Sequence, residues 1–409
     1  MRGTKNILVI ARAKELVIAG LKILVIAGLT GNLLSCSKPQ EQEAAFVPVP
    51  DMSAPIEFSE QIAEPQTKGL DPITDPVYGI YQQHFGIYSW WNPIEEVFDE
   101  LNNPANIYQS NNDVQFVENI SSSIRKWKCN PTAYWPFACN LSFFAYAPYQ
   151  HTEPYMVGDE LMQPELVFPS NDYTQGMPRA TYTPRTRVRN QVDFCLAPPV
   201  FDREPSNEPI HFAFQHALTR ILLYVNVVGT RLPYTQYRIT DAIISNVVGT
   251  NTFTYVDNSS DPSIPPFVWD PVTSSTPHDG EYHLTYTNTE LNSSWVKFVS
   301  DLTTETGTDR YTWINAPDPG RLYLLPQELS DATLELAIST YRESGGSYTL
   351  SSILPPFRMT IPTAQSWEAG KAVAYLVTLD LTNLTVAGIK AMLVDWNDSV
   401  NAHPNQIIY

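Results

Sequence analysis

The chain has 409 residues, enough for two domains of ordinary size with real cores. Its 34 prolines and many Tyr, Thr, Val and Ser residues favour short strands and turns over long helices. The formal charge is −18; without the five basic and one acidic residues of positions 1–36, 20 basic and 42 acidic residues remain, a net of −22 that repels a phosphate backbone and excludes nucleic acid as a partner.

Residues 1–22 are basic and mixed. Ile23 to Ser35 is an apolar run, followed directly by Cys36. A bilayer span needs about 20 apolar residues, so this run has the length and place of a signal-peptide core rather than of a membrane helix. Leu33-Leu34-Ser35-Cys36 looks like a lipobox, in which the Cys36 thiol is diacylated and becomes the mature N-terminus. Positions 1–35 are therefore expected to be a lipoprotein signal peptide, with outer-membrane lipid as the partner of Cys36. Residues 36–69, rich in Pro, Glu and Gln, read as a flexible tether. Within it, Ala44-Ala45-Phe46-Val47 is a candidate extra strand for the first domain.

Beyond residue 70 only Ile94–Leu101 suggests a helix, with Ile94, Val97, Phe98 and Leu101 on one face. Its carboxylates, Glu95, Glu96, Asp99 and Glu100, then read as a solvated face rather than an acid–base pair. Period-two alternation is much stronger. Ile210, Phe212, Phe214, His216 and Leu218 keep one phase; Ile221, Leu223, Val225 and Val227 keep the other. A strand that changes phase must flip its faces, and one extra residue near Thr219–Arg220, a β-bulge, is the usual device. Thr333–Tyr341, Lys371–Leu381 and Ile389–Trp396 also alternate, and Ser344-Gly345-Gly346-Ser347 reads as a hairpin turn. Pro198–Pro209 is the expected break between a domain at 70–202 and one at 203–409. The polar stretch 257–320 reads as long loops.

Few residues suggest chemistry. Cys129 and Cys139 are a possible disulfide in an oxidising compartment or two half-buried thiols. Glu281 and His283 could share one strand face as metal ligands, but no third ligand is identifiable and Asp279-Gly280 is a turn signal. His216 reads as a hydrogen-bonded core histidine, because nothing acidic or thiol-bearing is near it in sequence. No nucleophile elbow, zinc-protease helix or phosphate loop is present, so no catalytic, cofactor-binding or metal-binding residue is assigned.

Four segments carry a family resemblance: Leu141–Tyr149 (LSFFAYAPY), Ile210–Arg220 with His216-Ala217-Leu218, Leu324–Leu329 (LLPQEL), and Trp367-Glu368-Ala369-Gly370-Lys371 followed by Ala374-Tyr375. In this order, and with such a leader, they resemble the fimbrillin family of Bacteroides-type type V pilus subunits. The resemblance implies an all-β fold of two tandem transthyretin-like, Greek-key β-sandwich domains with long loops and few short helices. It also implies a fimbrillin-like lipoprotein of the cell surface and fimbrium, held at the outer membrane, that serves as a structural or adhesive subunit. Its partners would be other pilus subunits, joined by strand complementation, and an unknown surface ligand. Subunits of this family are thought to lose a first strand to an arginine-specific protease and to accept a neighbour's strand in its place. Here no arginine lies between Cys36 and Arg125, so possible processing falls at Lys68, and an anchor, tip or accessory subunit is favoured over a stalk subunit. The alternative is a surface glycan-binding lipoprotein of a polysaccharide uptake system, suggested by Trp90-Trp91 and 12% aromatic residues.

Overall fold

Alternation at period two decides the element type throughout. In the computed structural model every element among the described residues is a β-strand. The structure describes residues 49–60, 84–99, 106–119, 124–157, 160–168, 177–186, 191–284, 289–291, 296–297, 322–363, 366–394 and 396. Cys36, Lys68 and Ala44–Val47 lie outside them.

The C-terminal half is a sandwich of two sheets. Thr219–Val228 runs parallel to Ala372–Asp380, from Arg220 beside Ala372 to Val228 beside Asp380. Thr385–Val394 pairs with the far side of Ala372–Asp380, and Leu322–Leu324 and Val296–Lys297 with the far side of Thr219–Val228. The facing sheet is built on Thr235–Val247 and Thr333–Ser344. Gly280–His283 and Thr289–Leu291 flank it on one side, Ser347–Ile353 and Phe357–Thr360 on the other. Ile221, Leu223, Val225 and Val227 meet Ile239, Ile244, Leu334, Leu336 and Ile338 between the layers. Each such side chain stabilises the fold by about 1.5–3 kcal/mol when fully buried. The opposite phase is also covered: Leu222, Tyr224, Ala374 and Leu376 form a small outer cluster against Met392 and Val394. Burial on both faces is why these parallel strands read as nearly unbroken apolar runs.

The N-terminal half is a single curled sheet. Its strand order is Ile210–Phe212, Phe58–Glu60, Ile124–Asn130, Ile107–Asn119, Phe85–Pro93, Cys139–Ala147, Cys195–Leu196 and Gln215–His216, with Val200–Arg203 also on Cys139–Ala147. Only Ala213 and Phe214 separate the strands at its two edges. The sheet therefore curls until those edges approach, enclosing Phe58, Phe85, Ile87, Val114, Trp127, Phe143, Phe212 and Phe214. Tyr88, Trp90, Phe144 and Tyr146 point the other way, onto a four-stranded sheet of Leu166–Val167, Arg179–Tyr182, Asn251–Tyr255 and Phe267–Trp269. Both halves belong to one unit, Pro48–Tyr409.

Several sequence expectations change. Ile94–Asp99 is a turn and irregular chain, not a helix. The Asp202 carboxylate accepts the Phe98 N–H at 2.9 and 3.0 Å, and the Phe98 ring enters a pocket of Trp90, Phe144 and Phe201. Those contacts outweigh a helix propensity of a few tenths of a kcal/mol per residue. The phase change after Leu218 is not a bulge. The chain leaves the curled sheet after Gln215–His216 and enters the sandwich at Thr219, so the flip is a change of sheet. The stretch 257–320 is not all loop: Phe267–Trp269, Gly280–His283, Thr289–Leu291 and Val296–Lys297 are strands. Two segments beyond residue 203, 210–216 and 251–255, hydrogen-bond to strands that precede it, and Phe267–Trp269 pairs with the second of them. Cys129 and Cys139 are free thiols. They sit on strands with Ile107–Asn119 and Phe85–Pro93 between them, so the possible bridge is not formed.

Candidate functional site: sheet edges, the motif seam and a buried Asp-Cys-His cluster

A strand from the stretch read as a tether completes the curled sheet. Phe58–Glu60 lies parallel to Ile210–Phe212 and meets Ile124–Asn130 antiparallel at Phe58–Trp127. The Phe58 ring is buried, 6.0–6.3 Å from those of Phe85, Phe143 and Phe212. Just before it, Pro50–Pro55 pairs with Tyr134–Pro136. Both Pro50–Pro55 and Phe58–Glu60 precede Lys68 and the first arginine after Cys36, Arg125.

Exposed edges lie at the opposite end of the sequence. Gly345 and Gly346 take φ of 62° and 82°, as a two-residue hairpin turn requires. Every residue of Ser347–Ile353 behind that turn is exposed, with Leu350 at 57% and Ile353 at 71%. The Arg238 guanidinium lies 4.5 Å from the Tyr341 ring centre and 5.9 Å from that of Tyr348, bracing the hairpin. Thr385–Val394 is the matching edge of the other layer. Among the described residues no strand pairs with the outer side of either.

The motif residues gather where the two halves join. Gln327 and Trp367 form a mutual backbone bridge, with N–H···O distances of 2.8 and 2.9 Å. The Gln327 Oε1 accepts the Val248 N–H at 2.8 Å, and its Nε2 donates to the Leu325 carbonyl at 3.1 Å. Trp367 Nε1–H donates to the Tyr375 hydroxyl at 2.9 Å. Gly370, at φ 71°, donates its N–H to the Leu218 carbonyl. Leu322 and Leu324 enter the sandwich core, while Tyr323 and Leu325 enter the aromatic core beside it. Residues of these motifs thus form the joint of the fold. Gln327→Leu is expected to cost about 1–3 kcal/mol, because the buried Val248 N–H loses its acceptor; urea denaturation measures it.

Asp193, Cys195 and His216 meet at the edge of the curled sheet. Cys195 and His216 are directly paired across the two strands, so both side chains share a face, and Asp193 is two residues before Cys195. His216 Nδ1 is 3.0 Å from the Asp193 carboxylate and 3.7 Å from the Cys195 sulfur. The imidazole stacks on the buried Trp396 ring, centres 4.0 Å apart. The sequence reading missed this set, because its members are distant along the chain and only strand pairing unites them. A nucleophilic relay needs the acid on one ring nitrogen and the nucleophile on the other. Here Nδ1 faces both.

The remaining candidates disperse. His283 Nε2 contacts Glu281 at 2.8 Å, but Asp241 lies 3.8 Å from Nδ1, on the opposite ring nitrogen, so the three do not converge on one point. Trp90 is buried and Trp91 half-buried, and none of the described tryptophans is exposed. The Cys129 sulfur accepts from Gln109 Nε2 and Asn112 Nδ2, both at 3.6 Å. Burial raises this thiol from 9.0 to about 11. Its folded value is the higher one, so its contribution is full below about pH 9 and lost as pH rises through about 11. The corresponding expectation is that alkylation of the folded protein at pH 8 spares Cys129 and that denaturation exposes it, as read by peptide mass spectrometry.

Comparison with known proteins agrees with the architecture. A family model described as fimbrillin-like matches residues 82–396. The fold is that of a fimbrial protein from Bacteroides vulgatus ATCC 8482, at 16% identity and a TM-score of 0.52, covering 84% of this chain and 99% of that one. More distant similarity reaches a putative cell adhesion protein from Bacteroides uniformis ATCC 8492 (14% identity, 84% and 98% coverage, TM-score 0.38). It extends to the fimbrial anchor protein Mfa2 from Porphyromonas gingivalis (11% identity, 83% and 98% coverage, TM-score 0.27). No curated protein matches the chain in sequence. The family match spans nearly the whole described body, both halves and the seam between them, and on that ground the chain belongs to the fimbrillin-like family.

Proposed function

We propose that this protein is a cell-surface fimbrial subunit with a structural or adhesive role, tethered to the outer membrane through acylated Cys36 and joined to other subunits by strand complementation. The observation that supports this most is Phe58–Glu60. A strand drawn from the tether fills a slot between Ile210–Phe212 and Ile124–Asn130, and its one large side chain plugs the core. A chain cut at Lys68 would lose that strand and open a slot with unpaired backbone and an apolar pocket, the two features that β-augmentation uses. The exposed hairpin Ser347–Ile353 and the edge Thr385–Val394 offer further rims for a neighbour. We read the body as two sandwich domains, 70–202 and 203–409, the second lending segments 210–216 and 251–269 to the first.

The test is to cleave the folded protein at Lys68, separate the N-terminal fragment, and follow its mass and assembly state. Strand exchange predicts ordered oligomers of the cleaved chain, suppressed by a synthetic Val49–Glu60 peptide. A cleaved chain that stays monomeric and does not take up the peptide would sink the strand-exchange mechanism. Incorporation of labelled palmitate into the full-length precursor, abolished by Cys36→Ala, tests the anchor separately.

A further inference from the structure

We propose that Asp193, Cys195 and His216 form a three-ligand site for a borderline-soft divalent cation of the zinc class. The donor set is a thiolate, an imidazole and a carboxylate, the combination that such an ion selects. The distances between donors fit. A tetrahedral ion with bonds of about 2.0–2.3 Å holds its ligand atoms roughly 3.3–3.6 Å apart. Here Nδ1 is 3.0 Å from the carboxylate oxygens and 3.7 Å from the sulfur, and the sulfur is 3.9 Å from Asp193 Oδ1. Shifts of a few tenths of an ångström bring all three into place.

The frame around the donors is rigid. The Cys195–His216 register is set by strand pairing, and Ala217 N–H donates to the Phe194 carbonyl at 2.9 Å one residue further on. The Trp396 ring, itself 6.0 Å from that of Tyr323, stacks on the imidazole and limits its rotation. Asp193 Oδ2 is a buried oxygen that makes no hydrogen bond, although His216 Nδ1 is 3.0 Å away. A cation would satisfy it. The side chains of His216 and Asp193 remain 13% and 14% exposed, which leaves a route for the ion and room for water as a fourth ligand. Binding displaces the Cys195 thiol proton to solvent; thiolate and carboxylate together then balance the divalent charge, so the loaded site carries no net charge. The set joins the last two strands of the curled sheet to the residue that ends the described C-terminal half. Its effect would be to clamp the sheet edge to that half.

The test uses the full chain, stripped of metal with chelator, with Cys36→Ser to remove that thiol. Cobalt(II) titration is expected to give visible d–d bands and a near-ultraviolet thiolate-to-cobalt charge-transfer band that saturates at one equivalent. Zinc should displace the cobalt and raise the melting temperature. Cys195→Ser should abolish the charge-transfer band, while Cys129→Ser and Cys139→Ser leave it unchanged. Asp193→Asn should weaken binding at least about tenfold while keeping the band at saturation. Near-ultraviolet circular dichroism of each metal-free variant shows whether it is folded. Absence of the band in the folded parent protein, or its survival in folded Cys195→Ser, overturns the proposal.

Discussion

Phe58→Ala is expected to lower the stability of the body by about 3–5 kcal/mol, although residue 58 lies in a stretch whose composition is that of a linker. The ring packs edge-on to Phe85 and Phe143 and stacks with Phe212, and it sits at the point where the curled sheet closes. Truncation removes an aromatic side chain from an interior formed by strands that are paired on both sides, so the cavity has little freedom to collapse. Urea denaturation should show a lower midpoint with an unchanged slope. Ser53→Ala, a few residues earlier and exposed, should change stability by less than about 0.5 kcal/mol. A similarly small effect for Phe58→Ala would mean that the tether only lies along the sheet, and the slot it fills would lose its meaning for assembly.

Trp367→Ala is the second large expectation, again about 3–5 kcal/mol. Trp367 is fully buried at the bottom of the sandwich core, and its N–H holds the hydroxyl of Tyr375. Burial pushes that phenol up to about 12, so the hydroxyl is a neutral group needing a partner inside the core. Trp367→Phe keeps most of the apolar volume and loses the hydrogen bond. It should cost about 1–3 kcal/mol, and the difference between the two variants separates packing from polar satisfaction. Both effects are read in the same denaturation experiment. Because the Trp367 backbone also bridges Gln327, Trp367→Phe and Gln327→Leu combined should depart from additivity.

Together these residues give the motifs Leu324–Leu329 and Trp367–Lys371 a structural role. Gln327, Trp367, Gly370 and Leu218 are spread over more than 150 positions, yet they bond to one another at a single joint. A proline-glutamine pair, a tryptophan and a glycine at positive φ are what such a joint requires: a strand end, a side chain that can satisfy stray backbone groups, a large plug, and a tight turn.

Much of this was legible in the amino-acid order, because it depends on neighbours. Alternation in Thr333–Tyr341 and Lys371–Leu381 marked two central strands of the sandwich, and Gly345-Gly346 marked the hairpin between Thr333–Ser344 and Ser347–Ile353. The phase reversal between His216 and Ile221 showed that the chain must turn its faces there. Whether it did so by a bulge or by changing sheets depended on which strands lay beside it, and strand pairing is not local. The same limit applies at Phe98, whose helix pattern yields to an aspartate 104 residues away. It applies at Phe253 and Phe267, which join the sheet of Arg179–Tyr182 across a stretch that reads as loop. It applies most at His216, which seemed isolated and lies against a carboxylate and a thiol. Local periodicity determined the strands of the sandwich core. Only the long-range register of one strand on another decided which side chains would meet.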